Sequence, residues 1–231
     1  WNGFLNGNVL YEVGSGQEQQ REYAYLEVPA GTGQYTWIDY NEDGIQQLNE
    51  FELAMFTDQA KFIRIFTPTN EYIKANYTTF NYSLNVTPKQ LWGKKDLAGF
   101  PKFLSRFIWV SSLQISKKSQ AKGVFEFNPF GYGLSDTNLI TQSTVLVNTL
   151  SFNRQSTKWG VDVTNLRNNN KAFLTYGYET RRNSEWVLKY RHFLSASLTL
   201  NMNALTGTNG LTTNDVQFDN RNYKISRNNA E

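Results

Sequence analysis

Ser195-Ala196-Ser197-Leu198-Thr199-Leu200-Asn201-Met202-Asn203-Ala204 alternates small polar and apolar side chains over ten positions without an error. Successive side chains of an extended strand point to opposite faces. This stretch is therefore a ribbon with one apolar side (Ala196, Leu198, Leu200, Met202, Ala204) and one wet side. The same period of two recurs upstream. Phe80, Tyr82, Leu84 and Val86 alternate with polar residues in Tyr77–Thr87. Phe103, Phe107, Trp109, Leu113 and Ile115 do so in 103–115, and Leu146, Leu150 and Phe152 in 144–152. Trp159, Val161 and Val163 follow, then Leu174, Tyr176 and Tyr178, then Trp186, Leu188 and Tyr190. Tyr223 and Ile225 open another segment.

Composition agrees with strands. Of 231 residues 15% are aromatic, and 26 are Asn, which is poor in helix interiors and frequent in turns. The absence of cysteine and the single histidine, His192, exclude disulfide frameworks, thiol catalysis and multi-histidine metal sites. No apolar run is long enough for a membrane-spanning helix. A spanning strand needs only every second residue to be apolar, so low mean hydropathy is compatible with a transmembrane barrel. With Trp1 first and a polar run last, the sequence reads as a piece of a longer protein.

Charge divides the chain. Residues 1–100 carry a net −5 and residues 101–231 a net +8, which suggests two regions in different surroundings. The first reads as short strands: Leu10–Val13, broken at Gly14-Ser15-Gly16, then 23–28, 34–38 and 62–66, with two helical turns over 48–56. Residues 1–75 are thus expected to form a small β-rich extramembrane region, and residues 76–231 antiparallel β-barrel strands, roughly eight of them. Compact turns are expected at Asn168-Asn169-Asn170, Arg182-Asn183-Ser184 and His192-Phe193-Leu194, with longer loops over 116–142 and 205–220 and turn punctuation at Gly131-Tyr132-Gly133. In lipid every backbone N–H and C=O needs an internal partner, so such a sheet must close on itself. Trp109, Trp159, Tyr176, Tyr178, Trp186, Tyr190 and Tyr223 then belong to interfacial girdles. The fold class expected is all-β: transmembrane barrel strands, in part of a barrel, preceded by the extramembrane region. The alternative is a soluble β-sandwich binding carbohydrate or another ligand, which requires a second apolar set packing the sheet onto another sheet.

One motif carries defined chemistry. Asp39-Tyr40-Asn41-Glu42-Asp43-Gly44-Ile45-Gln46-Gln47-Leu48-Asn49-Glu50 fits D-x-N-x-D-G-x5-E, the EF-hand-like calcium loop. Calcium takes six to eight oxygens, and a curled loop supplies them from alternate residues. Asp39, Asn41 and Asp43 offer side-chain oxygens, Ile45 its carbonyl, Gln47 a direct or water-bridged contact, and Glu50 a bidentate carboxylate. Gly44 permits the turn. The preceding Tyr35-Thr36-Trp37-Ile38 is strand-like, so the expectation is a lone structural Ca2+ loop between a strand and a short helix. No nucleophile–base pair, P-loop or dinucleotide fingerprint is present, and no enzymatic activity is expected. The basic pairs Lys94-Lys95, Lys117-Lys118 and Arg181-Arg182 are read as loop or interface charges, with no nucleic-acid partner.

The stretch from Tyr11 to Glu18, the stretch from Tyr35 to Glu52, and Ile63–Tyr72, Ser151–Arg154 and Gly177–Arg181 together resemble a group of large outer-membrane proteins of Bacteroidota bacteria. The resemblance implies a cell outer-membrane location, with a calcium-type loop in an extramembrane region followed by barrel strands. It implies little about cargo; outer-membrane lipid and other envelope proteins are the partners expected of such barrel strands, in transport, secretion or surface scaffolding.

Overall fold

The computed structural model describes residues 3–92, 97–121, 128–130, 138–175, 177–195, 197–214 and 216–230. Lys94, Lys95, Gly131–Gly133, Tyr176 and Ala196 lie outside the described residues. The chain is all-β. Among the described residues ten strands form one antiparallel sheet: β1 (Leu5–Glu27), β2 (Tyr35–Trp37), β3 (Phe51–Leu53), β4 (Phe62–Val86), β5 (Phe107–Gln120), β6 (Leu139–Phe152), β7 (Trp159–Leu174), β8 (Gly177–Ser195), β9 (Leu198–Thr213) and β10 (Tyr223–Ala230). The order from one edge is β10-β9-β8-β7-β6-β5-β4, after which β4 pairs with both β1 and the small β2–β3 hairpin. The sheet is open, not a closed barrel. The one α-helix among the described residues, α1 (Gly99–Leu104), precedes β5.

Register places the alternating sets on one face. The row through Val86 runs Trp109, Leu150, Val163, Leu188, Ala204, and the row through Tyr82 begins Val9, Tyr82, Leu113, Leu146. The opposite face carries Asn81, Gln114, Thr149, Asp162, Thr164 and Lys189, with Thr149 and Thr164 hydrogen-bonded at 3.0 Å. No second sheet covers the apolar face among the described residues. Val9 is 64% exposed, Trp186 48% and Met202 52%.

Several local expectations are corrected. Asn168–Asn170 and Arg182–Ser184 are not turns; they pair with each other inside β7 and β8. His192 pairs with Trp159, and the reversal falls between Ser195 and Leu198. The ten-residue ribbon that reveals the pattern therefore straddles a turn. Leu174 pairs with Gly177, so a reversal interrupts the expected 174–178 strand. Residues 205–213 are strand, and the Gly14-Ser15-Gly16 break lies within the 23-residue β1. One physical reason covers the expected turns at 14–16, 168–170 and 182–184 that the structure shows as strand. Asn, Gly and Ser favour turns when the backbone lacks partners, whereas a ladder satisfies every N–H and C=O and overrides that preference.

The core is small and lies at one end. β1 and β4 continue past the neighbouring strands as a two-stranded arm, with a register irregularity between Gln19 and Arg21. The arm leans across the upper rim of the sheet. Phe66 of β4 meets Phe173 of β7 at 6.1 Å between ring centroids, and Glu18 of β1 forms an ion pair with Lys118 of β5. At its far end Phe62 and Tyr35 bury against Phe218, in the 3-10 segment Val216–Arg221 between β9 and β10. Tyr25 stacks on Phe51 at 4.0 Å beside them. The limit at residue 75/76 falls within β4, which runs unbroken from arm to sheet.

Candidate metal centre

The acidic loop connects β2 to β3, and the two strands pair Tyr35 with Leu53 and Trp37 with Phe51. It is thus a β-hairpin loop. The helix expected over 48–56 is replaced by one 3-10 turn, Leu48–Glu50, followed by β3. Phe51 and Leu53 follow a period of two. Phe51 also lies edge-on to Phe62 at 5.1 Å. That burial outweighs the helical propensity of the segment.

Within the loop the carboxylates organise the backbone. Asp39 Oδ2 accepts from Gly44 N at 2.8 Å and Asp39 Oδ1 from Asp43 N at 3.2 Å. Asp43 Oδ1 accepts from Ile45 N at 2.7 Å. Gly44 has φ +69°, the left-handed region that glycine enters without a Cβ clash. Asn41 and Gln47 both donate side-chain amide hydrogens to Asp43 Oδ2, at 2.9 and 2.8 Å. At the end of the loop Ile38 N donates to the Glu50 carbonyl at 2.9 Å, which closes the ring.

Glu50 is held differently. Its side chain is fully buried, and Oε2 accepts from the Trp37 indole at 2.9 Å and from Gln47 N at 3.2 Å. The buried carboxylate is thereby aimed at the loop interior. Oxygens of Asp39, Asp43 and Glu50 lie within 4.8 Å of one another. Of the six residues assigned to calcium by spacing, the fold brings these three carboxylates together. Asn41 and Gln47 act on Asp43 through hydrogen bonds, and Ile45 has an exposed side chain. An all-oxygen set of three carboxylates in a curled loop fits a hard cation such as Ca2+.

Spacing alone does not reveal two neighbours. Trp37 orients Glu50, and Tyr40 donates its hydroxyl to Glu52 Oε1 at 2.6 Å. That hydrogen bond raises the Tyr40 pKa above the usual tyrosine value, with desolvation and the Glu52 charge acting in the same direction. Trp37 and Glu52 lie on the paired strands β2 and β3, and each meets a residue of the loop between them.

No protein family, no curated protein and no solved structure matches the chain.

Proposed function

We propose that the chain forms wall strands of a calcium-stabilised outer-membrane β-barrel, of the kind implied by the Bacteroidota resemblance, serving transport, secretion or surface scaffolding without catalysis. The observation that carries this reading is the path of the apolar stripe across the sheet. Following the ladder, Phe80 to Val86 of β4 map onto Gly210 to Ala204 of β9. The apolar set of β9 instead occupies Ala204 to Leu198, six residues lower along the strand. Six residues of about 3.3 Å against five strand spacings of about 4.8 Å correspond to a tilt of about 40° between the strands and the normal to the stripe. Barrel strands tilt by about 35–45°. A plane of lipid meeting tilted strands cuts the ladder on such a diagonal.

The borders of the stripe support the same reading. Phe103, Phe107, Phe152 and Trp159 form a chain of ring contacts along one rim, with Tyr190 and His192 beside them. Aromatic belts of this kind suit a membrane interface. Tyr178 and Tyr223 do not join them. Tyr178 is buried with its hydroxyl on the Leu139 carbonyl, and Tyr223 pairs with Leu211 on the opposite face. In lipid the outer edge of β1, and that of β9 below Ala204 where β10 does not reach, require partner strands. The uncovered apolar face and the single sheet favour this reading over a carbohydrate-binding sandwich. No helix among the described residues is long and apolar enough to cross a membrane. Flotation tests the proposal: the full chain, refolded in detergent and mixed with phosphatidylcholine vesicles, should float with lipid and resist carbonate extraction. Recovery of folded monomer in the lipid-free fraction would refute it.

A further inference from the structure

Charge on the apolar face is one-sided. Along β5 to β10 that face carries no carboxylate. Its lysines and arginines are Lys117, Arg167, Lys171, Arg182 and Lys224, and all five stand on the arm side of the stripe. Lys117 is buried, and Lys171 sits 5.0 Å over the Tyr178 ring. Arg167, Arg182 and Lys224 are exposed, and no hydrogen bond or ion pair engages them among the described residues. They converge by register. Arg182 pairs with Gly210, and Gly210 with Lys224, so the two cations flank a position without a side chain. Arg167 pairs with Ser184, which places it diagonally beside Arg182, about 7–8 Å away between Cα atoms. The three line a concavity of about 390 Å³ whose floor is Ser184, Thr208, Gly210 and Thr212.

We propose that Arg167, Arg182 and Lys224 form a binding site for a phosphate group, presented by a lipid headgroup at the border of the apolar stripe. Three cations without carboxylate partners are left with uncompensated charge, which a multivalent anion neutralises. Guanidinium groups match phosphate oxygens with paired N–H donors, and the lysine adds a point charge. Hydroxyls of Ser184 and Thr208 stand within the same hollow as further donors. The headgroup assignment rests on the membrane reading above; the phosphate assignment does not.

The test titrates the full chain in detergent with dihexanoyl phosphatidic acid, dihexanoyl phosphatidylcholine or inorganic phosphate, followed by 31P NMR. Phosphatidic acid should bind about tenfold or more tightly than phosphatidylcholine. Arg167→Gln/Arg182→Gln/Lys224→Gln should remove that preference, whereas Lys189→Gln on the opposite face should keep it. Inorganic phosphate matching phosphatidic acid would leave a free-phosphate site and overturn the headgroup assignment. An unchanged preference in the triple variant would overturn the site itself. Flotation of the triple variant on phosphatidylcholine vesicles separates the readings, since it reports the apolar stripe alone.

Discussion

Phe62 of β4 and Phe218 of the β9–β10 connection bury one another, although five strand steps of the sheet separate β4 from β9. The contact is possible because the β1–β4 arm crosses the rim instead of continuing along the strand direction. Glu179, buried on β8, holds Arg181 at 2.6 Å and Arg221 at 3.6 Å, which ties the segment bearing Phe218 to the sheet. The acidic loop is thereby carried on an arm whose end docks against the 3-10 segment Val216–Arg221.

Truncating this anchor should free the arm. Phe218→Ala removes a fully buried ring, a change that typically costs about 3–5 kcal/mol. We expect the loss to be local: amide exchange and proteolysis should rise over 28–61 while the β5–β9 ladder keeps its protection. Uniform destabilisation of all strands would contradict a docked arm.

Calcium should raise the melting temperature of the full chain. A ligand at a hundred times its dissociation constant contributes about 2.7 kcal/mol. Asp39→Ala and Glu50→Ala should abolish the response. Glu50→Ala should also destabilise the calcium-free protein by about 1–3 kcal/mol, because the Trp37 indole loses its acceptor. Identical melting curves with calcium and with chelator would count against the site.

Adjacent residues on opposite faces separate a membrane wall from a soluble sheet. Met202→Arg puts a charge on the apolar stripe that the proposed wall turns towards lipid, where it should cost up to about 2–4 kcal/mol in lipid. Asn203→Arg, one residue along, faces the wet side and should be near neutral. Urea unfolding in vesicles reads the difference; equal effects would argue that no lipid meets Met202.

Tyr40 should deprotonate above the pH of a free tyrosine. Its raised pKa comes chiefly from the hydrogen bond to Glu52. The contribution of that bond to stability is present below the ordinary tyrosine pKa and is lost as pH rises through the higher folded value. The ultraviolet titration of the native chain minus that of Tyr40→Phe isolates the group, and Glu52→Gln should lower its midpoint. A Tyr40 midpoint at or below the free value would refute the bond.

Much of this is legible in the sequence. Alternation in Tyr77–Thr87 and in Trp159–Leu166 is local, because a strand sorts its own side chains between two faces before it finds a neighbour. The spacing of Asp39, Asn41, Asp43, Gly44 and Glu50 is equally local, and those residues did curl into a loop with converging carboxylates. Turns were harder to read. Asn168–Asn170 and Arg182–Ser184 look like two reversals because each is rich in turn formers, yet Asn168 and Asn169 are the ladder partners of Asn183 and Arg182.

By itself the order of residues determined strands with one apolar and one polar face, and an acidic loop with the spacing of a calcium loop. Only the tertiary structure decided which strands pair and in what register, and hence the diagonal of the apolar stripe, the meeting of Arg167, Arg182 and Lys224, and the seating of Phe218 on Phe62. The reason is that side-chain alternation depends on a single backbone. Register and long-range burial depend on the summed energy of many strands, which no local segment encodes.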